Sequence, residues 1–214
     1  MEGVSRQVVS GTGLPAIDAL MLLSVALVST MLWANLLNPF VWIAIGAATG
    51  FALIGFHGNR HQMTRRHSQF SRRTRLLSET VIAIGTWIAI FWIGRAPLAT
   101  SLMFDEHPIV FVFISLALSS MVVVGAANAV KLVDKGDRSV IVAIMIAALI
   151  LGTIAYLIGP VVAGARELTV VCAAVVGVSL GLAWLKTAST PVFVGDTGSL
   201  ALGAALGTIA LAIL

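Results

Sequence analysis

The stretch PVFVGDTGSLALGAALG, from Pro191 to Gly207, decides how this chain is read. It opens an apolar run that reaches the last residue, Leu214, and it carries one carboxylate, Asp196, between Gly195 and Thr197-Gly198. A run of about 20 apolar residues in helical form crosses the hydrocarbon core of a bilayer. A carboxylate at the mouth of such a run is expensive unless a partner or a function holds it there.

Working outward, the rest of the chain has the same character. Its 214 residues are 59% hydrophobic and 10% charged, with a mean hydropathy of +1.04. Soluble domains carry about 25% charged residues, so this composition excludes an ordinary soluble domain. Apolar runs fall at roughly 16–37, 38–56, 76–94, 108–130, 139–163, 167–185 and 198–214. Lipid offers no partner to an open backbone, so each run is expected to be a helix. The reading is an all-α, polytopic transmembrane bundle of about seven spans. It forms one domain over 1–214, with polar loops near 57–75, 131–138 and 186–197. Asn38-Pro39 separates the first two runs by a tight turn. Residues 1–15 lack the basic-then-apolar pattern of a cleaved leader, so none is expected.

Lysine and arginine set the orientation. With the N-terminus in the cytoplasm, Arg6, the six arginines from Arg60 to Arg75, Lys131, Lys135, Arg138 and Lys186 all fall inside, and only Arg95 and Arg166 fall outside. Asp18, Glu79, Asp134, Asp137 and Asp196 then lie at or near the cytoplasmic helix ends. That gathering either marks a site at the membrane face or reflects ionisable groups sitting where water is. Gly46/Gly50, Gly177/Gly181 and Gly203/Gly207 are spaced for close helix packing. Five tryptophans near run ends, Trp33, Trp42, Trp87, Trp92 and Trp184, suit an interfacial belt. Cys172, inside an apolar run and the only cysteine, is expected to be a core residue.

Three segments carry candidate chemistry. GFHGNRHQMTRRHSQFSRRTR (Gly55–Arg75) holds six arginines and three histidines. It reads as a loop touching anionic head groups, or as a phosphate cradle, since the guanidinium fork matches phosphate oxygens. Arg65, Arg66 and Arg72 are the phosphate candidates. The segment is short and tied to the bilayer, so nucleic acid is not expected as a partner. NAVKLVDKGDRS (Asn128–Ser139) sets Asp134 and Asp137 three apart, on one face if helical, with Lys131, Lys135 and Arg138 among them as internal neutralisers. Asn128 ends an apolar run, where an amide needs a partner. In the opening segment, Gly195 and Gly198 let backbone approach a ligand closely, and Asp196 can also cap a helix.

These segments resemble the bacterial phospho-N-acetylmuramoyl-pentapeptide transferases. GDTGSLALGAALG is similar to that family's aspartate signature, NAVKLVDKGD to its Asn-Ala-Val-Asn-Leu-Thr-Asp-Gly-Leu-Asp, and GFHGNR to its Gly-Phe-Xaa-Asp-Asp-Tyr. The likeness runs collinearly from Gly11 to Leu214. It implies transfer of phospho-N-acetylmuramoyl-pentapeptide from a uridine diphosphate donor to undecaprenyl phosphate at the bacterial inner membrane, in peptidoglycan synthesis, with Mg²⁺ as cofactor. By resemblance, Asp196 is the metal-binding catalytic aspartate, supported by Asp134. Asn128, Asp137 and Phe193 fall on the nucleotide side. The chain departs from the pattern where it has His57-Gly58 in place of an aspartate pair, which makes His57 a substitute base or ligand. It also has Lys131 in place of an asparagine, a substrate-side candidate whose cation can meet a diphosphate. Two other readings stay open: a non-catalytic relative that binds polyprenyl phosphate or a partner protein, and an N-acetylglucosamine-phosphate transferase of the same family. A homodimer stays open as well.

Overall fold

A computed structural model describes residues 15–63, 72–93, 108–133, 138–160, 162, 164–187 and 195–213. These form seven helices: α1 Pro15–Trp33, α2 Pro39–Met63, α3 Arg72–Trp92, α4 Pro108–Val133, α5 Arg138–Ile158, α6 Ala165–Thr187 and α7 Gly195–Ile213. All the described secondary structure is helical, as the apolar runs require. Six helices, α2 to α7, are long and apolar enough to cross a membrane, whereas the apolar part described in α1, Leu20–Trp33, is shorter. α2 runs past its apolar stretch to Met63, so the first turns of the expected polar loop are helix.

α7 is the central post. Every residue from Thr197 to Ile209 is buried, and so is Leu211. α2 and α4 pack most closely along it, with α1, α5 and α6 completing the ring. The main core joins Phe51 of α2, Ala83 of α3, Val123 and Ala127 of α4, Leu168 and Cys172 of α6, and Leu200, Ala204 and Ile209 of α7. The outer helices turn large apolar side chains outward instead, among them Val25, Leu53, Val81, Met121, Leu149 and Leu180. Such a surface is stable against lipid and not against water. Hydroxyls inside the helices donate back to carbonyls one turn earlier, as Ser179 does to Val175 and Thr208 to Ala204 (both 2.8 Å), which satisfies them without solvent.

Small residues let α7 be surrounded so closely. A Cβ on Gly203 would lie 2.6 Å from the Ala127 Cα, and one on Gly207 would lie 3.0 Å from the Val123 Cα. The two contacts run in opposite chain directions, so α4 and α7 are antiparallel and nearly touch at their backbones. The other glycine pairs behave differently. Gly50 meets only the Ile82 side chain, while Gly46, Gly177 and Gly181 have nothing within 4 Å. Gly50 thus packs against α3, whereas Gly46, Gly177 and Gly181 meet no close neighbour among the described residues.

Two ends of the bundle can be told apart. At one end Asn38 caps α2: its Oδ1 accepts from Phe40 N (3.1 Å), and Pro39 takes the first helical position. The Asn38 amide also donates to Gly164 O (2.9 Å), and Glu167 accepts from Asn35 N (2.9 Å), so the α1–α2 turn is stitched to the start of α6. Trp33, Trp42, Trp92 and Trp184 are exposed, as an interfacial belt requires. Trp87 is not part of that belt. It is 6% exposed and stacked on Phe91, because it faces inward one turn before the end of α3.

Candidate functional site

The other end collects the finish of α2, the start of α3, the finish of α4 and the start of α7. Gly195 opens α7 with a positive φ of 62°, a conformation that favours glycine. Asp196 follows within the first turn, where a carboxylate is stabilised by the positive end of the helix dipole. It is therefore not a capping residue. The Ser199 hydroxyl donates to Gly195 O (2.9 Å). α2 crosses directly over this turn: a Cβ on Gly55 would stand 2.7 Å from the Thr197 Cα and 2.9 Å from the Asp196 carbonyl oxygen. A glycine that belongs to none of the expected pairs thus sets the depth of Asp196 in the bundle.

Two cations from two helices converge on one Asp196 oxygen. Lys131, in the last turn of α4, pairs with Oδ2, and Arg75 Nη1 of α3 lies 3.6 Å from the same atom. Arg75 is anchored from behind. Its Nε donates to Glu79 Oε1 at 2.9 Å, one helical turn along. The Glu79 side chain is wholly buried, and its second oxygen accepts from Asn128 Nδ2 at 2.6 Å. Asn128 also donates to Val124 O at 2.9 Å. A buried carboxylate is tolerated only when paired and hydrogen-bonded, and here both oxygens are engaged. The network runs Asn128–Glu79–Arg75–Asp196–Lys131, with two negative and two positive charges. Asp196 is the most exposed of its charges, with 41% of the side chain exposed against 22% for Arg75 and Lys131.

Of the residues singled out from the sequence, Asp196, Lys131 and Asn128 are brought into one network. His57 lies exposed on α2, two residues beyond Gly55. Counted from Gly55-Phe56, the resembling family's aspartate pair falls on Gly58-Asn59, one residue later than His57-Gly58. Asp134, Asp137, Phe193, Arg65 and Arg66 lie outside the described residues, and Arg72 opens α3 with its side chain also outside them. Glu79 and Arg75 were missed as site residues. The signal was there: an arginine and a glutamate four apart, with the glutamate several residues into an apolar helix, where an unpaired carboxylate does not survive.

The Mg²⁺ that the resemblance implies can be tested against these donors. A hard dication takes several oxygen ligands. The Asp196 oxygen already faces an ammonium and a guanidinium, and Glu79 is buried and committed to Arg75 and Asn128. Among the described residues no group of three or more His, Cys, Asp or Glu side chains could hold a metal. The described donor set therefore does not fit a divalent ion.

Comparison with known proteins adds a family. The model of glycosyl transferase family 4 matches residues 41–214, a stretch that includes every residue of this network. A phospho-N-acetylmuramoyl-pentapeptide-transferase from Rhodopseudomonas palustris strain BisA53 is 41% identical over 95% of this chain. Its counterpart from strain BisB18 is 42% identical over the same share. The chain spans 61% of the length of each of these relatives. With the helical bundle, the aspartate motif at the mouth of its central helix and a match over most of its length, the chain belongs to glycosyl transferase family 4.

Proposed function

We propose that this chain acts in the membrane step that moves phospho-N-acetylmuramoyl-pentapeptide from a uridine diphosphate carrier to undecaprenyl phosphate. The end of the bundle where α7 begins would face the cytoplasm of a bacterial inner membrane. The basic residues favour that orientation, since eleven of thirteen fall on that side of the chain's topology. One observation carries the reading: Arg75 and Lys131 converge on Asp196 at the N-terminus of a buried helix. Phosphoryl transfer asks a protein mainly for positioning and for neutralisation of several anionic oxygens. Arginine and lysine at a helix N-terminus supply both.

A second reading has its own support. The paired Asp196 is engaged rather than free, which suits a relative that binds polyprenyl phosphate without turnover. One assay separates the two. The chain is placed in nanodiscs with undecaprenyl phosphate and the uridine diphosphate donor, and UMP release is followed with and without magnesium. Release that Asp196→Asn abolishes is the expected result. No release, with undecaprenyl phosphate still bound, assigns the chain to binding alone. Neither release nor binding refutes both readings.

A further inference from the structure

We infer that Lys131 and Arg75 form a phosphoryl-binding site that works without a divalent cation, with Asp196 as its resident anion. This rests on the phosphate chemistry proposed above and says how the charge at that site is handled.

The geometry is that of an oxyanion position already filled. Lys131 comes from α4 and Arg75 from α3, yet both address Asp196 Oδ2, the atom at the positive end of α7. Arg75 does not reach there by chance. Glu79, buried and doubly bonded, fixes its Nε and leaves Nη1 directed at Asp196. Among the described residues the four charges cancel, leaving no net negative charge to attract a dication, and a metal on Oδ2 would have to displace an ammonium. A phosphoryl oxygen meets the opposite situation. It needs only to take the place of a carboxylate whose side chain is 41% exposed, and it gains an ammonium and a guanidinium already converging on one point. The ligand class is a phosphate monoester or diphosphate, from a lipid phosphate or from a nucleoside diphosphate.

This assignment makes Asp196 a competitor for the site rather than a ligand to metal, and the two roles predict opposite effects of the same substitution. The full chain in nanodiscs is titrated with inorganic pyrophosphate, in EDTA and in magnesium, and binding is followed by phosphorus NMR. Pyrophosphate is expected to bind equally in both. Asp196→Asn removes the competing charge and is expected to tighten binding about threefold or more, whereas Lys131→Asn is expected to weaken it about tenfold, the worth of one charge-assisted hydrogen bond. Lys131→Arg keeps the charge and is expected to retain most of the binding, with thermal melting confirming that each variant is folded. If Lys131→Asn fails to fold, Asp196→Asn in EDTA decides alone.

Binding that vanishes in EDTA, or that weakens in Asp196→Asn, overturns the inference. Competition with pyrophosphate by undecaprenyl phosphate, or by uridine diphosphate, identifies the source of the phosphoryl group; competition by neither overturns the site. Metal-free pyrophosphate binding without UMP release upholds this site while the transferase reading falls. Release of UMP together with metal-dependent binding does the reverse.

Discussion

Replacing Gly55 with alanine tests whether the crossing of α2 over α7 sets the position of Asp196. The added Cβ would stand 2.7 Å from the Thr197 Cα, where ordinary contact begins near 3.4 Å. Both neighbours are backbone, so no side chain can swing aside, and the two helices must part by about 0.7 Å. Arg75 Nη1 is already 3.6 Å from Asp196 Oδ2, so a shift of that size away from α3 takes the contact past 4 Å. Overpacking of this kind costs about 1–3 kcal/mol. For a chain of this length each kcal/mol lowers the melting temperature by about 2–4 °C. Gly46→Ala is the control. It lies in the same helix with nothing within 4 Å of its Cβ, and alanine there is expected to gain up to about 1 kcal/mol over glycine. Both variants would be melted in nanodiscs by tryptophan fluorescence and titrated with pyrophosphate. A Gly55→Ala protein that melts like the parent and binds as well refutes the reasoning. It would mean that α2 does not hold the first turn of α7 in place.

Glu79→Ala removes the acceptor of both Arg75 Nε and Asn128 Nδ2, and breaking a buried pair on one side costs about 3 kcal/mol. A clear fall in melting temperature is expected, along with weaker pyrophosphate binding, since Arg75 loses its anchor; Glu79→Gln, which still accepts a hydrogen bond, should keep more of both. Thr197 is 1% exposed and its hydroxyl has no hydrogen-bond partner among the described residues. Thr197→Val is therefore expected to match or exceed the parent's stability by about 1 kcal/mol in the same melt, because a buried, unpaired hydroxyl is a cost.

The helical bundle was legible because the bilayer leaves the chain little choice. Apolar runs of spanning length, cut by Asn38-Pro39 and by polar links, lead to helices whatever their neighbours. Most expected run ends came within a few residues of the helix ends. α2 overran because hydropathy marks where lipid stops and not where hydrogen bonding stops; its single arginine, two histidines and glutamine continue the helix to Met63. The glycine pairs were legible as small residues, yet spacing alone does not reveal which face meets a partner. Gly203 and Gly207 meet α4, and Gly177 and Gly181 have no neighbour within 4 Å among the described residues.

What the sequence determined by itself is therefore the class of molecule, the family likeness and the place of Asp196 at the mouth of an apolar helix, because each is written in local composition and in one contiguous motif. What only the tertiary structure decided is what Asp196 faces. Arg75, Glu79, Asn128, Lys131 and Asp196 come from three helices, and Asp196 lies more than 60 positions from its nearest partner along the chain. Helix spacing cannot report a contact of that range. It depends on how closely α2 and α4 approach α7, and hence on glycines whose only contribution is the absence of a side chain.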